Sequence, residues 1–235
     1  MGKNSKIAWC DHTFNPWTGC SPVSEACENC YAAAWAKRTG RDFSKRKLTS
    51  DENWKQPAKW NRAAGKEGTP ARVFCGSLCD ICDGTVSGNW RHRALSLAEE
   101  TPFLTWMYLT KRPRVFEWGY AWRRNEWLGV TAETTARFHE RWTVLKGQIA
   151  PVRFVSAEPM LDAPCAEMVY VPDWLILGCE SRGNGLGRET RLEWVRTVCE
   201  NRRGPTFVKQ LGINGRLTRD PADWPEWARR QEFPA

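Results

Sequence analysis

Gly19-Cys20-Ser21-Pro22-Val23-Ser24-Glu25-Ala26-Cys27-Glu28-Asn29-Cys30-Tyr31 is the stretch from which the rest of the chain is read. Three cysteines stand at C-x6-C-x2-C, an aromatic residue closes the loop, and Ala32, Ala33, Ala34, Trp35, Ala36 and Lys37 follow. That composition favours a helix starting directly after the loop. Three close thiolates can hold three irons of a [4Fe-4S] cluster and leave the fourth iron open, whereas a structural zinc site closes itself with four ligands. The missing fourth ligand points to an iron-sulfur cluster on Cys20, Cys27 and Cys30. Cys10 is the residue that would complete a zinc site instead.

Working outward, the sequence alternates. Residues 5–10 are short and mildly apolar, as a first strand is, and 13–19 are turn chemistry that delivers the cysteine loop. Residues 38–70 form a polar excursion of weak helical character, with Lys45, Arg46 and Lys47 followed by Trp54, Pro57 and Trp60. Such residues either pin a solvated loop to the body or stack on bases beside a phosphate backbone. Strands are then expected over 72–76, 103–109, 127–130, 152–155, 174–177 and 206–208, and helices over 89–100, 113–124, 134–145 and 191–202. Strands alternating with helices imply a parallel α/β sheet in one domain over residues 1–235. Residues 213–235, rich in proline, read as a C-terminal tail lying across the domain.

The cysteine loop and five further segments resemble a phage-encoded family of radical-SAM-like proteins. The segments are Leu109-Thr110-Lys111-Arg112-Pro113, Gly129-Val130-Thr131-Ala132-Glu133, Ser156-Ala157-Glu158-Pro159, Gly178-Cys179-Glu180-Ser181 and Phe207-Val208-Lys209-Gln210. The resemblance implies an incomplete (β/α)6 parallel barrel of radical SAM type with a C-terminal extension, rather than a doubly wound sheet. It also implies S-adenosyl-L-methionine as cosubstrate, chelated to the open iron, and a reducing electron donor such as flavodoxin or ferredoxin. It supplies no substrate.

In parallel barrels reactive groups collect beyond the carboxyl ends of the strands, and polar residues gather at those ends here. Lys111, Glu158 and Lys209 are the candidates for catalysis. Tyr31, Thr131, Glu133, Ser156, Glu158, Gly178, Glu180 and Ser181 are the candidates for holding the cofactor. Carboxylates can take ribose hydroxyls or a methionyl ammonium, while the lysines can neutralise a carboxylate or phosphate; the competing reading is that such Lys–Glu pairs satisfy only each other. The run from Gly178 to Gly187 is glycine-rich, yet it lacks the Gly-Lys-Ser/Thr ending of a triphosphate cradle.

A second triad, Cys75-x3-Cys79-x2-Cys82, has the spacing most associated with radical SAM clusters and is a further candidate metal site, although Cys75 falls inside an expected strand and the three can instead be small buried hydrophobes. The three histidines, His12, His92 and His139, are too scattered for a histidine metal site, and His12 alone lies near the cysteine loop. Ten cysteines without a signal-peptide pattern predict a reduced, cytoplasmic protein, in the host cell if phage-encoded. No apolar run is long enough for a membrane span. A net charge of +8, spread along the chain, fits anionic partners or a basic protein with none; the substrate stays open between a nucleoside, a nucleic acid and a peptide, with the charge favouring the first two. The alternative from another class is a non-catalytic zinc or iron-sulfur protein that binds nucleic acid.

Overall fold

The computed structural model describes residues 5–114, 120–183 and 185–235. In chain order the elements are β1 (His12–Phe14), β2 (Trp17–Thr18), α1 (Tyr31–Arg38), β3 (Lys47–Leu48), α2 (Asp51–Trp54), α3 (Gln56–Glu67), β4 (Ala71–Cys75) and α4 (Gly88–Glu100). There follow β5 (Leu104–Thr110), β6 (Glu126–Thr131), α5 (Thr135–Leu145), β7 (Val152–Ala157), α6 (Ala166–Tyr170) and β8 (Trp174–Gly178). The chain ends with β9 (Ser181–Arg182), β10 (Gly185–Leu186), α7 (Leu192–Asn201), β11 (Thr206–Ile213) and β12 (Arg216–Thr218).

Eight strands make one sheet in the order β1-β4-β5-β6-β7-β8-β11-β12. Every pairing is parallel except β11 with β12. Each new strand joins the same growing edge, so right-handed crossovers all fall on one face. The order never reverses as it does in a doubly wound sheet, and the result is a curled, mostly parallel half-barrel.

Side chains alternate between the two faces of this sheet. Val73, Trp106, Tyr108, Leu128, Val130, Val155, Leu175, Leu177 and Val208 point outward, into a core shared with Ala94 and Ala98 of α4, Phe138 and Trp142 of α5, and Val195 and Val198 of α7. Phe74, Met107, Phe154, Trp174, Ile176 and Phe207 fill the concave side. With both faces buried, strands read as continuous apolar runs, which is why Trp174-Leu175-Ile176-Leu177 was recognisable. Gly129 makes the concave packing feasible, because a Cβ there would stand 2.3 Å from the Phe154 ring.

Three expectations change. Residues 5–10 are not a strand: Ile7, Trp9 and Cys10 pack into the concave core without pairing, and the first strand is β1, which pairs His12 with Val73 and Phe14 with Cys75. The polar excursion over 38–70 is largely helical, holding α2 and α3, and both Trp54 and Trp60 are buried, so these indoles anchor it to the body. Of the helix expected over 113–124, residues 115–119 lie outside the described residues and 120–123 are irregular.

Of the tail expected over 213–235, residues 216–218 add β12 to the sheet edge, and the last residues cross the domain. Gln231 forms an antiparallel bridge to Phe207, the Trp174 indole donates to the Glu232 carbonyl at 2.9 Å, and Phe233 packs 5.5 Å from Trp174 and 5.3 Å from Phe207. These contacts lie at the starts of β8 and β11. The tail therefore stoppers the end of the half-barrel opposite the carboxyl ends of its strands. Among the described residues no helix is long and apolar enough to cross a membrane.

Candidate functional site

At the carboxyl ends of the strands the half-barrel opens into a cleft of about 630 Å³. Cys20, Cys27, Cys30 and Tyr31 enter it from the cysteine loop, Lys111 from the end of β5, and Thr131 and Ser156 from the ends of β6 and β7. Glu158 follows β7, Glu180 and Ser181 follow β8, and Lys209 projects from β11. Residues more than 180 positions apart in sequence thus meet in one concavity, as a parallel barrel requires of its loops.

The cysteine loop is held from several sides, mostly by arginines. Gly19 has a φ of 107°, and a Cβ there would lie 2.3 Å from the Lys45 carbonyl oxygen. Only glycine lets the loop start so close to 43–45, where Cys20 N–H donates to the Phe43 carbonyl at 2.9 Å. Arg112, just past β5, donates to the Ser21 carbonyl at 2.5 Å, the Cys20 sulfur at 3.4 Å and Asp80 at 2.9 Å. Arg46 reaches the Ser21 hydroxyl at 2.7 Å while paired with Asp83. Arg137 of α5 pairs with Glu25 at 3.0 Å. Arg188 donates to the Glu25 carbonyl at 2.9 Å and pairs with Glu28 and Glu180. Asn29 donates to Glu180 at 2.9 Å, and the Tyr31 hydroxyl donates to the Ser77 carbonyl at 2.6 Å.

Charges inside the cleft are largely assigned. Asp80 is buried and accepts from Cys82 N–H, the Thr110 hydroxyl, Lys111 N–H and Arg112, which uses up its lone pairs on structure. Lys209 and Gln210 both donate to Glu158, and Gly178 leaves the space Glu158 occupies, since a Cβ there would sit 3.2 Å from its Cγ. Gly178 therefore makes room for a carboxylate. Burial raises the Glu180 carboxyl, but hydrogen bonds from Arg188 and Asn29 outweigh it and hold the group below its ordinary value. Gly187 is required there, as a Cβ would meet Glu180 Oε2 at 2.4 Å. The Lys111 ammonium, by contrast, lines the cleft with no acidic partner among the described residues.

Glu133 is elsewhere. It is fully buried, does not line the cleft, and pairs with Arg141 at 2.7 Å, whose same nitrogen donates to the Thr131 carbonyl. Desolvation raises this carboxyl, and Arg141 overrides it to hold the group low. The pair joins β6 to α5 and is structural.

The loop brings three thiols to one cleft. Cys20, Cys27 and Cys30 are half-buried and share the cleft. N–H groups already address two of the sulfurs: Val23 N–H donates to Cys27 at 3.5 Å and Arg112 to Cys20, and such donors favour thiolate over thiol. Cys30 occupies the N-cap of α1, where the helix dipole favours an anion. Burial raises the Cys20 thiol, with Arg112 opposing. Among the described residues no set of three or more His, Cys, Asp or Glu side chains is drawn together as a metal site, so the loop thiols share the cleft without converging.

The second triad is placed differently. Cys75 and Cys82 are buried in the outer core, and Cys79 packs against that core while also lining the cleft. Desolvation pushes all three thiols far up. Cys10 lies in the concave core, its thiol directed at Ser5 and the Ile7 carbonyl and raised by burial to about 11. It does not line the cleft with the loop cysteines.

The arginines that hold the loop were not singled out from the sequence. Arg112 and Arg188 carried a local signal, since Arg112 lies within the segment Leu109-Thr110-Lys111-Arg112-Pro113 and Arg188 directly follows the glycine-rich run 178–187. Arg46, one of the basic residues of the polar excursion, and Arg137 gave no sign of these contacts, because the loop residues they meet, Ser21 and Glu25, lie 25 and 112 residues away. The chain belongs to the family described as protein of unknown function DUF5131, whose model matches residues 4–223. No curated protein and no solved structure matches it.

Proposed function

We propose that the chain is a radical S-adenosylmethionine enzyme, a partial (β/α)6 barrel of that type, with Cys20, Cys27 and Cys30 as ligands of a [4Fe-4S] cluster. The observation that supports it most is that three half-buried cysteines of one loop share a cleft with the polar carboxyl ends of five parallel strands. Bound there, cluster and cosubstrate would supply one-electron cleavage of the sulfonium to methionine and a 5'-deoxyadenosyl radical, which takes a hydrogen atom from substrate.

The chain's own residues have four tasks in this reading. Arg112 and the Val23 N–H stabilise anionic sulfur. The pair of Glu158 with Lys209, and Glu180 fixed by Arg188, present fixed charges to the amino, carboxylate and ribose groups of the cosubstrate. Ser156 and Thr131, each nearly buried at a strand end, offer hydroxyls at the cleft floor. Lys111, which like Lys6 and Arg219 lines the cleft without an acidic partner among the described residues, is a cation available to an anionic group of the substrate. The concave core beneath excludes water from the radical.

The test is iron, sulfide and zinc content after anaerobic reconstitution, followed by assay of 5'-deoxyadenosine with S-adenosylmethionine and dithionite, or reduced flavodoxin. About four irons and four sulfides per chain, with deoxyadenosine formed, are expected. Bound zinc without sulfide or deoxyadenosine overturns the reading in favour of a non-catalytic metal protein.

A further inference from the structure

Beside the cleft runs a second concavity of about 980 Å³, and the two share Asn29, Cys30, Tyr31, Ser77 and Ser181 in their walls. Tyr31 lines both. One wall of this groove is a face of α1. Ala32 and Ala36 turn inward and are buried, while Tyr31, Ala34, Trp35 and Arg38, at helical spacing, face the groove. Tyr31 is 54% exposed, and Trp35 is half-buried with the Arg41 guanidinium over its ring at 5.2 Å from the centroid, beside small alanines that leave room for a ligand. The opposite wall carries Arg182 from the β9–β10 hairpin, and Lys6 closes one end.

The groove's charge is one-sided. Lys6, Lys37, Arg38 and Arg182 are exposed and have no acidic partner among the described residues. The one carboxylate in its walls, Glu28, is paired with Arg188 at 3.0 Å. Elsewhere at this end of the barrel arginines are consumed by Glu25, Glu133, Glu180 and Asp80. Unneutralised cations interleaved with accessible aromatic rings make a surface that takes a phosphate backbone and stacks bases. A duplex hides its base faces and could use only the cations. We propose that this groove is a track for single-stranded nucleic acid, which delivers a nucleotide across Tyr31 to the cleft. Binding along the track stands on the groove alone; delivery to a cluster rests on the function proposed above.

The test uses the full, iron-loaded chain and a labelled oligonucleotide of about 12 nucleotides, within the roughly 4–16 nucleotide site sizes of single-strand grooves. Its binding by fluorescence anisotropy is compared with that of the corresponding duplex across a salt series. The single strand is expected to bind more tightly. Lys37→Gln combined with Arg38→Gln should weaken it by about 10-fold and flatten the log–log salt slope by about 1.4, the value for two phosphate contacts on a single strand. Trp35→Ala should weaken it roughly 10-fold with little change of slope, as loss of one stacked base does. Arg182→Gln, on the other wall, should weaken it without touching α1, so that a local defect in the helix cannot account for all three results. Iron and sulfide content is measured on every variant. Tight duplex binding equal to the single strand, or variants that bind as the unaltered chain does, overturns the track. Loss of the cluster in Cys27→Ala with single-strand binding intact separates the two readings, because it leaves the track standing whatever the fate of the enzyme.

Discussion

Two sets of three cysteines stand in opposite surroundings. Cys20, Cys27 and Cys30 occupy a loop outside the sheet, half-buried, with N–H donors on two sulfurs and arginines on several sides. Cys75 and Cys82 are buried among apolar side chains, and Cys75 is fixed in β4 opposite Phe14 and Tyr108. By spacing the second set, C-x3-C-x2-C, is the closer match to a cluster motif. Surroundings reverse that ranking: desolvation disfavours thiolate in the core, and a strand residue cannot leave its ladder without breaking hydrogen bonds. Cysteine spacing proposes a site, and the dielectric and the backbone decide whether it can be one.

The contrast breaks most sharply if the roles are exchanged by mutation. Cys27→Ala should abolish bound iron and deoxyadenosine formation, whereas Cys75→Ser should leave iron per chain unchanged; eight irons in the unaltered protein, or iron lost with Cys75→Ser, would erase the distinction. Next in size is Arg112→Gln, which removes the donor to Cys20 and the clamp on the Ser21 carbonyl. A lost outer-shell partner of this kind lowers metal affinity by about 10–100-fold, to be read as the rate of iron release to a chelator.

Cys75→Ser should have its effect on stability instead. A hydroxyl at a fully buried apolar position without a partner costs about 1–3 kcal/mol, measured as a lower urea midpoint with an unchanged slope. The smallest effect concerns alkylation of the apo protein. Cys75 and Cys82 should stay unmodified by iodoacetamide until denaturant is added, while Cys20 reacts in the native state. Its rate at a given pH should fall in Arg112→Gln, because burial already raises that thiol and loss of the guanidinium raises it further, leaving less thiolate. A faster Cys20 reaction in that variant would show that Arg112 shields the sulfur more than it acidifies it.

A pH experiment separates structural from functional carboxylates at the same strand ends. Glu133 is held below its ordinary value of 4.5, so its pairing with Arg141 contributes stability above that pH and loses it as the pH falls through the depressed folded value. Glu133→Gln should therefore flatten the acid side of the stability curve measured by urea unfolding. An unchanged acid limb would mean that the pair does not titrate with unfolding.

Much of the parallel sheet was legible in the sequence, because strands buried on both faces appear as unbroken apolar runs, as at 174–177. The first strand was misplaced for the same physical reason: Ile7, Trp9 and Cys10 are apolar because they fill the concave core, and burial without pairing leaves the same signature as a strand. In 38–70 the helix signals were present, Pro57 in the first turn of α3 and Gly68 in a left-handed cap, but the polar solvent face obscured them. The strand-end residues were legible as a group and not individually. Glu158 and Glu133 look alike in sequence, yet one lines the cleft and the other faces Arg141 from beneath it. The loop's arginine clamps depend on partners remote in the chain, which no local pattern encodes.

The sequential strand order gives the molecule a history as well as a shape. As the chain leaves the ribosome, each strand emerges to find its neighbour already made, so the sheet can grow in step with synthesis. The cysteine loop is among the first segments out and among the last to be fastened, since the Arg188 that clasps the Glu25 carbonyl arrives 163 residues later. At roughly 5–20 residues per second, the three thiols stand in the open for about 10–30 s before the cleft closes over them. Under the cluster reading proposed above, that interval would be a loading window, in which a scaffold protein hands a preformed cluster to the nascent chain.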